Sequence, residues 1–193
     1  MKHSFQTIAL AALVLVGSLF TSGCASTQSP SALSNSGREI AHESHAALRW
    51  LYATNPKAGA LGHHARAVMV FPKIVKGGFM VGGMAGNGAL IRGGSTSAFY
   101  QTAGLSYGMQ AGVQSYGYAL FFMDEAALRS INQRDGWEIG SAPSLVVLDQ
   151  GMATSLSTTT INKGIYAVFF NQQGLMGGLG LQGSKITRIY PNR

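Results

Sequence analysis

The chain has 193 residues, 14 Lys and Arg against 7 Asp and Glu for a formal charge of +7, 26 glycines and a single cysteine. That length accommodates one domain with a substantial core and calls for no second. Many glycines beside abundant Val, Ile, Phe and Tyr exclude a low-complexity disordered chain and favour tightly turned, closely packed strands.

The first 23 residues read as a secretory signal. Lys2 and His3 supply a basic start, Ile8 to Phe20 is an uncharged apolar run, and the small residues Thr21-Ser22-Gly23 lead straight into Cys24. The run falls short of the roughly 18 residues of a membrane-spanning helix, so cleavage is expected rather than anchoring by the segment itself. Gly23-Cys24 closing such a segment resembles the lipobox of bacterial lipoproteins, although Thr21 stands where Leu is usual. That resemblance implies a lipidated Cys24 as the new N-terminus, and Ala25, in place of a retention Asp, implies the outer membrane, facing the periplasm. The alternative is an ordinary secreted protein with one leftover thiol. A mature body without cysteine has neither a disulfide framework nor a thiolate zinc site. Loss of Lys2 with the signal lowers the formal charge from +7 to +6, enough to favour anionic lipid headgroups, lipopolysaccharide phosphates or polyanions. No nucleic-acid partner is expected, because no run of Lys and Arg could track a phosphate backbone.

Ala25 to Ser36 is small, polar and uncharged, the composition of a flexible tether. The reading therefore divides the chain into a signal over 1–23, a lipidated cysteine with its tether over 24–36, and one domain over 37–193. Ser36-Gly37-Arg38-Glu39 fits a capping box, and Ile40, Ala47, Leu48 and Leu51 share one face of a helix from about Gly37 to Ala53. Asn55-Pro56 starts a second, shorter helix. Beyond Ala67 the period becomes two. Val68 to Phe71 is an apolar strand, Pro72 to Lys76 a turn-like connection, and Phe79 to Ile91 a glycine-laden strand pair. From Leu105 to Gln114 apolar residues alternate with Ser, Gly and Gln, which predicts a strand with one wet or ligand-facing side. Tyr118 to Met123 is its more buried successor. Asp124 caps a short helix through about Gln133. Asp135-Gly136 then turns the chain into Trp137 to Gly140. Strands are further expected at Leu145 to Leu148, Ile165 to Phe170, Leu175 to Gln182 and Lys185 to Ile189, with Asn171-Gln172-Gln173-Gly174 as a hairpin connection.

Three ordered blocks now stand out: Ala67-Val68-Met69-Val70-Phe71-Pro72-Lys73-Ile74-Val75-Lys76-Gly77-Gly78-Phe79, leading into Gly82-Gly83 and Gly86-Asn87-Gly88-Ala89-Leu90; Tyr107-Gly108-Met109-Gln110-Ala111-Gly112-Val113-Gln114; and Gly174-Leu175-Met176-Gly177-Gly178-Leu179-Gly180-Leu181-Gln182-Gly183. With them the chain resembles the SYLF domain family, in its bacterial lipoprotein branch, from about Ile40 to the C-terminus. Where many members carry Trp-Ser, this chain reads Ser97-Ala98-Phe99-Tyr100. The resemblance implies a lipid-binding module: eukaryotic members bind phosphoinositide-rich membranes, some bind actin, and bacterial members are envelope lipoproteins implicated in lipid binding.

Other motifs fail on chemistry. Gly104-Leu105-Ser106-Tyr107-Gly108 matches a nucleophile elbow, but no histidine follows it, the last being His64. Gly178 to Gly183 matches a dinucleotide fingerprint ten residues from the end, with no helix or ribose-binding acid after it. His42 and His45 with Glu43, near His63-His64, lack the i, i+4 spacing of zinc hydrolases, and the carboxylates offer no close acid and base pair. No catalytic residue, metal or cofactor is expected. Gly78, Gly82 and Gly86 recur every four residues as in a transmembrane glycine zipper, but Pro72, Lys73 and Lys76 interrupt that helix.

The remaining candidates are cationic. Lys73 and Lys76 flank a turn, Arg66 precedes the strand before it and Arg92 follows the next, a set suited either to an anionic headgroup or to plain solvation. Trp50 and Tyr52 offer aromatic anchors for a bilayer interface or packing for the core. The expectation is thus a non-enzymatic lipid-anchored envelope protein of α+β class, with two N-terminal helices packed on a strongly curved, mainly antiparallel sheet or partial barrel. Its ligands would be membrane lipids with anionic headgroups, held by Arg66, Lys73, Lys76, Arg92 and Trp50. The alternative is a protein-interaction module for an actin-like filament or an envelope partner.

Overall fold

The computed structural model describes residues 36–131, 137–138, 145–148, 164–174 and 184–192. Helix α1, Gly37–Thr54, starts where the Ser36 hydroxyl accepts the Glu39 N–H at 3.3 Å. It ends at Asn55, which then caps α2, Pro56–His64, by accepting the Lys57 and Ala58 N–H groups at 3.1 Å each. Pro56 sits in the first turn of α2, where a missing N–H costs nothing. Ile40, Leu48 and Leu51 of α1 and Ala58 and Leu61 of α2 are buried. The Ser44 hydroxyl, also buried, donates to the Val70 carbonyl at 3.3 Å and ties α1 to the sheet.

Two very long strands follow, β1, Ala67–Arg92, and β2, Ser95–Phe122. They pair antiparallel along almost their whole length, from Arg92 opposite Ser95 to Ala67 opposite Phe122. Gly93 and Gly94 join them at φ of 57° and 79°, the positive values that a type I′ hairpin turn requires at both positions. A straight strand as long as β1 would extend about 85 Å. Instead β1 doubles back: the Gly86 Cα lies against the Lys73 carbonyl and the Ile74 side chain, and the Gly88 Cα against the Val70 carbonyl and the Phe71 ring. A side chain at either glycine would overlap the opposite arm. Register shifts between Phe71 and Ile74, Phe79 and Val81, and Leu90 and Ile91 supply the bends.

After α3, Glu125–Ser130, come β3, Trp137–Glu138, β4, Leu145–Leu148, β5, Ile165–Gly174, and β6, Ser184–Ile189. The sheet runs β3-β6-β2-β5-β4, with β1 paired to β2 off this path. All pairings are antiparallel except β4 with β5, which is parallel. β6 takes the early half of β2, Phe99 to Gly104, and β5 the late half, Gln114 to Phe122. The fold is thus mixed, with N-terminal helices on an open six-stranded sheet; no described pairing closes a barrel.

Two apolar layers flank the sheet. On one face α1 and α2 cover Val68, Val70, Ala119, Phe121, Val168 and Phe170. On the other, the folded ribbon packs on itself through Met69, Phe71, Met84, Tyr100, Tyr118, Leu120 and Phe122, joined by Leu128 and Ile131 from α3 and its end. The Phe71 and Tyr118 rings sit 4.8 Å apart at their centroids. Burying each large side chain here contributes about 1.5–3 kcal/mol. Asp124 closes this end of the structure: one carboxylate oxygen accepts the Ala127 N–H at 2.7 Å and the other the Gly164 N–H at 2.9 Å.

Three sequence expectations change. Pro72 to Lys76 is no turn but part of β1, at its first register shift. Proline is tolerated there because it sits at a register shift, and among the described strands β1 pairs with β2 alone. Phe79 to Ile91 is accordingly one arm of a strand rather than a pair. Asn171 to Gly174 continues β5 instead of turning; Asn171, at φ 52°, absorbs the register shift that faces Ser115 and Gly117. The Asp135-Gly136 turn and the Leu175 to Gln182 strand lie outside the described residues.

Gly117 lies beneath the Phe170 ring and the Pro72 carbonyl, so Gly117→Ala has no room for its methyl group. It is expected to lower stability by about 1–3 kcal/mol, read as a lower urea midpoint at unchanged slope. Gly83→Ala, whose Cβ would find only the Gly104 carbonyl at 3.8 Å, is the control and is expected to leave the midpoint unchanged.

Candidate functional site

The folded ribbon sorts the candidate cations into two places. Arg66, exposed, donates its backbone N–H to the Phe122 carbonyl at 2.8 Å and so stands where β2 ends. Arg92, from the other end of β1, reaches the same end of the ribbon through a 2.7 Å ion pair with Glu125. Lys73 and Lys76 lie about 23 and 33 Å further along β1 from Arg66, counted along the strand. Lys73 is exposed, whereas Lys76 is 6 % exposed and paired in register with Gln114. Trp50 keeps 43 % of its surface in solvent and lies 6.2 Å from the Phe170 ring. Tyr52 packs instead, 6.4 Å from Phe121 and over Gly62. Cys24 lies outside the described residues.

Charge is one-sided on the ribbon. Between Glu43 and Asp124 the chain contains no Asp or Glu at all. Glu125 offsets Arg92, but Lys73 and Lys76 have no ion pair among the described residues.

Around these lysines the ribbon exposes apolar side chains. Val75 is 44 % exposed, Val81 55 %, and Leu105 and Val113 66 % each. Register places Leu105 opposite Gly83 and Val113 opposite Gly77, so the four belong to one stretch of the ribbon. The alternation in β2 led to the opposite expectation at its ends, with the polar side wet; here Gln114 is buried and Val113 open. Gln114 shares the ribbon's inner side with Tyr116 and Tyr118, while α1 and α2 cover Ala119 and Phe121 and leave Val113 and Leu105 bare. An open concavity of about 730 Å³ lies here, lined by Val75 and Gly77 on one arm and by Gly83, Met84, Ala85, Ala103, Gly104 and Leu105 on the other. None of these residues carries a polar side chain.

Beneath it the interior holds polar groups. The Tyr116 hydroxyl donates to the Met84 sulfur at 3.6 Å. Thr102 Oγ1, Gln114 Oε1 and the Tyr118 hydroxyl are buried with no partner in hydrogen-bond geometry among the described residues. Burial pushes the Tyr116 phenol up to about 12. It pushes Tyr118 higher still, with the neighbouring Thr102 hydroxyl acting in the opposite direction. Such phenols stay neutral near pH 7 and are poorly matched to general acid or base work. The Gly104 to Gly108 segment continues as β2, without the strand-to-helix turn of a nucleophile elbow. Gly78, Gly82 and Gly86 are likewise in β1, which rules out a zipper helix. His45 engages Thr96 Oγ1 at 3.1 Å, and no three metal-ligating side chains converge among the described residues. The Gly178 to Gly183 motif lies outside them. What the sequence reading lacked was the apolar concavity: Val75, Val81, Leu105 and Val113 carry the same composition as core strand residues, and only their position beyond the helices sets them apart.

Comparison with known families gives a match over residues 103–190 to the Ysc84 model, described as Las17-binding protein actin regulator. The match begins inside β2, at the concavity, and runs through β6. No curated protein matches the chain.

The tyrosines set an alkaline limit. A phenol whose folded value lies above the unfolded value of about 10 supports the fold fully below pH 10 and loses that support as pH rises toward 12. Phenolate absorbance is therefore expected to show Tyr116 and Tyr118 resisting ionisation until the fold opens. Tyr118→Phe, which removes a buried hydroxyl that has no partner in hydrogen-bond geometry among the described residues, is expected to leave thermal stability equal or up to about 1 kcal/mol higher; a loss of several would show that the hydroxyl is bonded, with Thr102 the nearest candidate.

Proposed function

The chain belongs to the SYLF family through its Ysc84 domain at residues 103–190, a family of lipid- or actin-binding modules, and from that premise we propose that it is a non-enzymatic envelope module that binds anionic lipid or phosphoinositide-like headgroups. The observation that carries this reading is the meeting, on one stretch of ribbon, of exposed Val75, Val81, Leu105 and Val113 with exposed Lys73 and buried Lys76, neither of which has an ion pair among the described residues. Apolar surface removed from water contributes about 25 cal/mol per Å², and each cation near an anionic surface about 1 kcal/mol. Neither term is large alone, and together they favour a membrane over bulk water. Lys73 is the cation best placed for a headgroup. Arg66 and Arg92 stand at the other end of the ribbon and would serve a second contact, Arg92 only in competition with Glu125, whereas Trp50, beside Phe170, lies level with Gly117 and Pro72, next to Lys73.

Lipidation of Cys24 is part of the proposal, with the domain held at the outer membrane and facing the periplasm. Gly37 packs against Phe99, and Leu105 lies about 20 Å further along β2. Twelve residues of tether, Ala25 to Ser36, reach at most about 40 Å. An anchor at Cys24 and a seated ribbon are therefore compatible on one membrane. A second reading, a protein-interaction module for an actin-like filament or an envelope partner, is favoured by the description of the matched family as an actin regulator.

Co-sedimentation of residues 25–193 with neutral, anionic and phosphoinositide vesicles at two salt concentrations tests the proposal. Binding is expected to the charged vesicles only and to weaken with salt. Lys73→Glu, a change of two charges, is expected to weaken it by about 2 kcal/mol, roughly 30-fold; Leu105→Asp is expected to weaken it at either salt concentration. No binding to any vesicle would overturn the reading, and a stoichiometric protein partner in its place would establish the second.

A further inference from the structure

We propose, resting on the lipid-binding reading, that the concavity between the two arms of β1 is a site for one long acyl chain with an anionic head, a fatty carboxylate. Its volume, about 730 Å³, is typical of a small-molecule site. A methylene needs about as much room as a water molecule, whose share of the liquid is about 30 Å³. One chain of about 17 carbons then takes about 500 Å³ and can be seated whole, whereas the two chains of a phospholipid, at about 1,000 Å³, would stand partly outside it. Among the described residues every lining side chain is a hydrocarbon, a thioether or a glycine hydrogen, so the side chains described there suit an apolar ligand better than a polar one.

Charge selects the head. Lys76 stands between the lining residues Val75 and Gly77, and Lys73 two positions before Val75 is exposed. No acid is present between Glu43 and Asp124 to compete for them. A carboxylate at the mouth of the cleft would meet ammonium charge that has no ion pair among the described residues, while its chain lay along Val75, Met84 and Leu105.

The cleft is open because glycines line it rather than because the fold forbids larger residues. A Cβ at Gly83 would find only the Gly104 carbonyl at 3.8 Å, and one at Gly77 nothing closer than Val113 at 3.6 Å. Gly83→Phe and Gly77→Val therefore fill the site without displacing backbone.

The folded unit, Leu33–Arg193, is compact on its own, so residues 25–193 can be titrated with a fluorescent long-chain fatty acid below its micellar concentration. Saturable binding of one molecule per chain is expected. Gly83→Phe and Gly77→Val are expected to weaken it at least tenfold at unchanged melting temperature. Lys73→Glu is expected to weaken the acid about tenfold and to leave the corresponding methyl ester unaffected. Absence of saturable binding, the result if another segment of this chain or a protein partner fills the cleft, overturns the proposal, as does a folded Gly83→Phe that binds like the unaltered protein. Vesicle binding measured on the same variants separates the two readings. Fatty-acid binding without vesicle binding sinks the membrane role alone, and vesicle binding that survives with no fatty-acid binding sinks the acyl site alone.

Discussion

Backbone contact between the two arms of β1 is the constraint from which the rest of the architecture follows. Where Gly86 and Gly88 meet the carbonyls of Lys73 and Val70, no side chain intervenes, and the ribbon closes on itself at a spacing that only glycine permits. That closure gives the inner row of Phe71, Tyr116, Tyr118 and Met84 something to pack against. It also divides β2 into two working halves, one offered to β6 and the other to β5. Helices α1 and α2 meet the ribbon near Thr96 and Phe99 and along Ala119 and Phe121, and leave Val113 and Leu105, near the concavity, bare.

The two ends of the ribbon differ in how charge is handled. At the end near Asp124 the cation Arg92 has a partner in Glu125, and the carboxylate of Asp124 is spent on two backbone N–H groups. An exposed pair of this kind adds at most about 1 kcal/mol to stability, so its larger effect is to remove a charge from circulation. At the other end no described carboxylate does so for Lys73 and Lys76. One end pairs Arg92 while leaving Arg66 exposed beside it, and the other leaves both lysines without an ion pair among the described residues. An interior of neutral, buried tyrosines between them contributes no charge of its own.

Local signals in the sequence translated well into local structure. Ser36, Asn55 and Asp124 each announce a helix start through a side-chain oxygen placed to accept an N–H, and each does so here. Leu145 to Leu148 was legible as a short apolar strand for the same reason, as was the resemblance carried by Tyr107 to Gln114, which lies in the matched span. Continuity was harder. Pro72 and the paired lysines have the composition of a turn, and whether such a segment turns or stays extended depends on the strand beside it. Gly93-Gly94 is the true turn, hidden among many other glycines. Sidedness was hardest of all: alternation in β2 shows that two faces differ, but only the extent of α1 and α2 decides which face meets water, and so Val113 and Gln114 exchange the roles their polarity suggests.

The entry point of the chain into the domain has a mechanical side. Ser36 caps α1, and the Gly37 N–H beside it donates to the Asn192 carbonyl at 2.9 Å, so the fold begins and ends at one clasp. Any pull exerted through the residues before Ser36 would load that clasp and the first turn of α1 before it reached a strand. α1 would then yield a turn at a time, while the Ser44 bond to Val70 and the sheet behind it carried little of the tension. Such a helix is a shock absorber in series with the ribbon, and the surface that the ribbon presents would keep its shape while the domain was tugged.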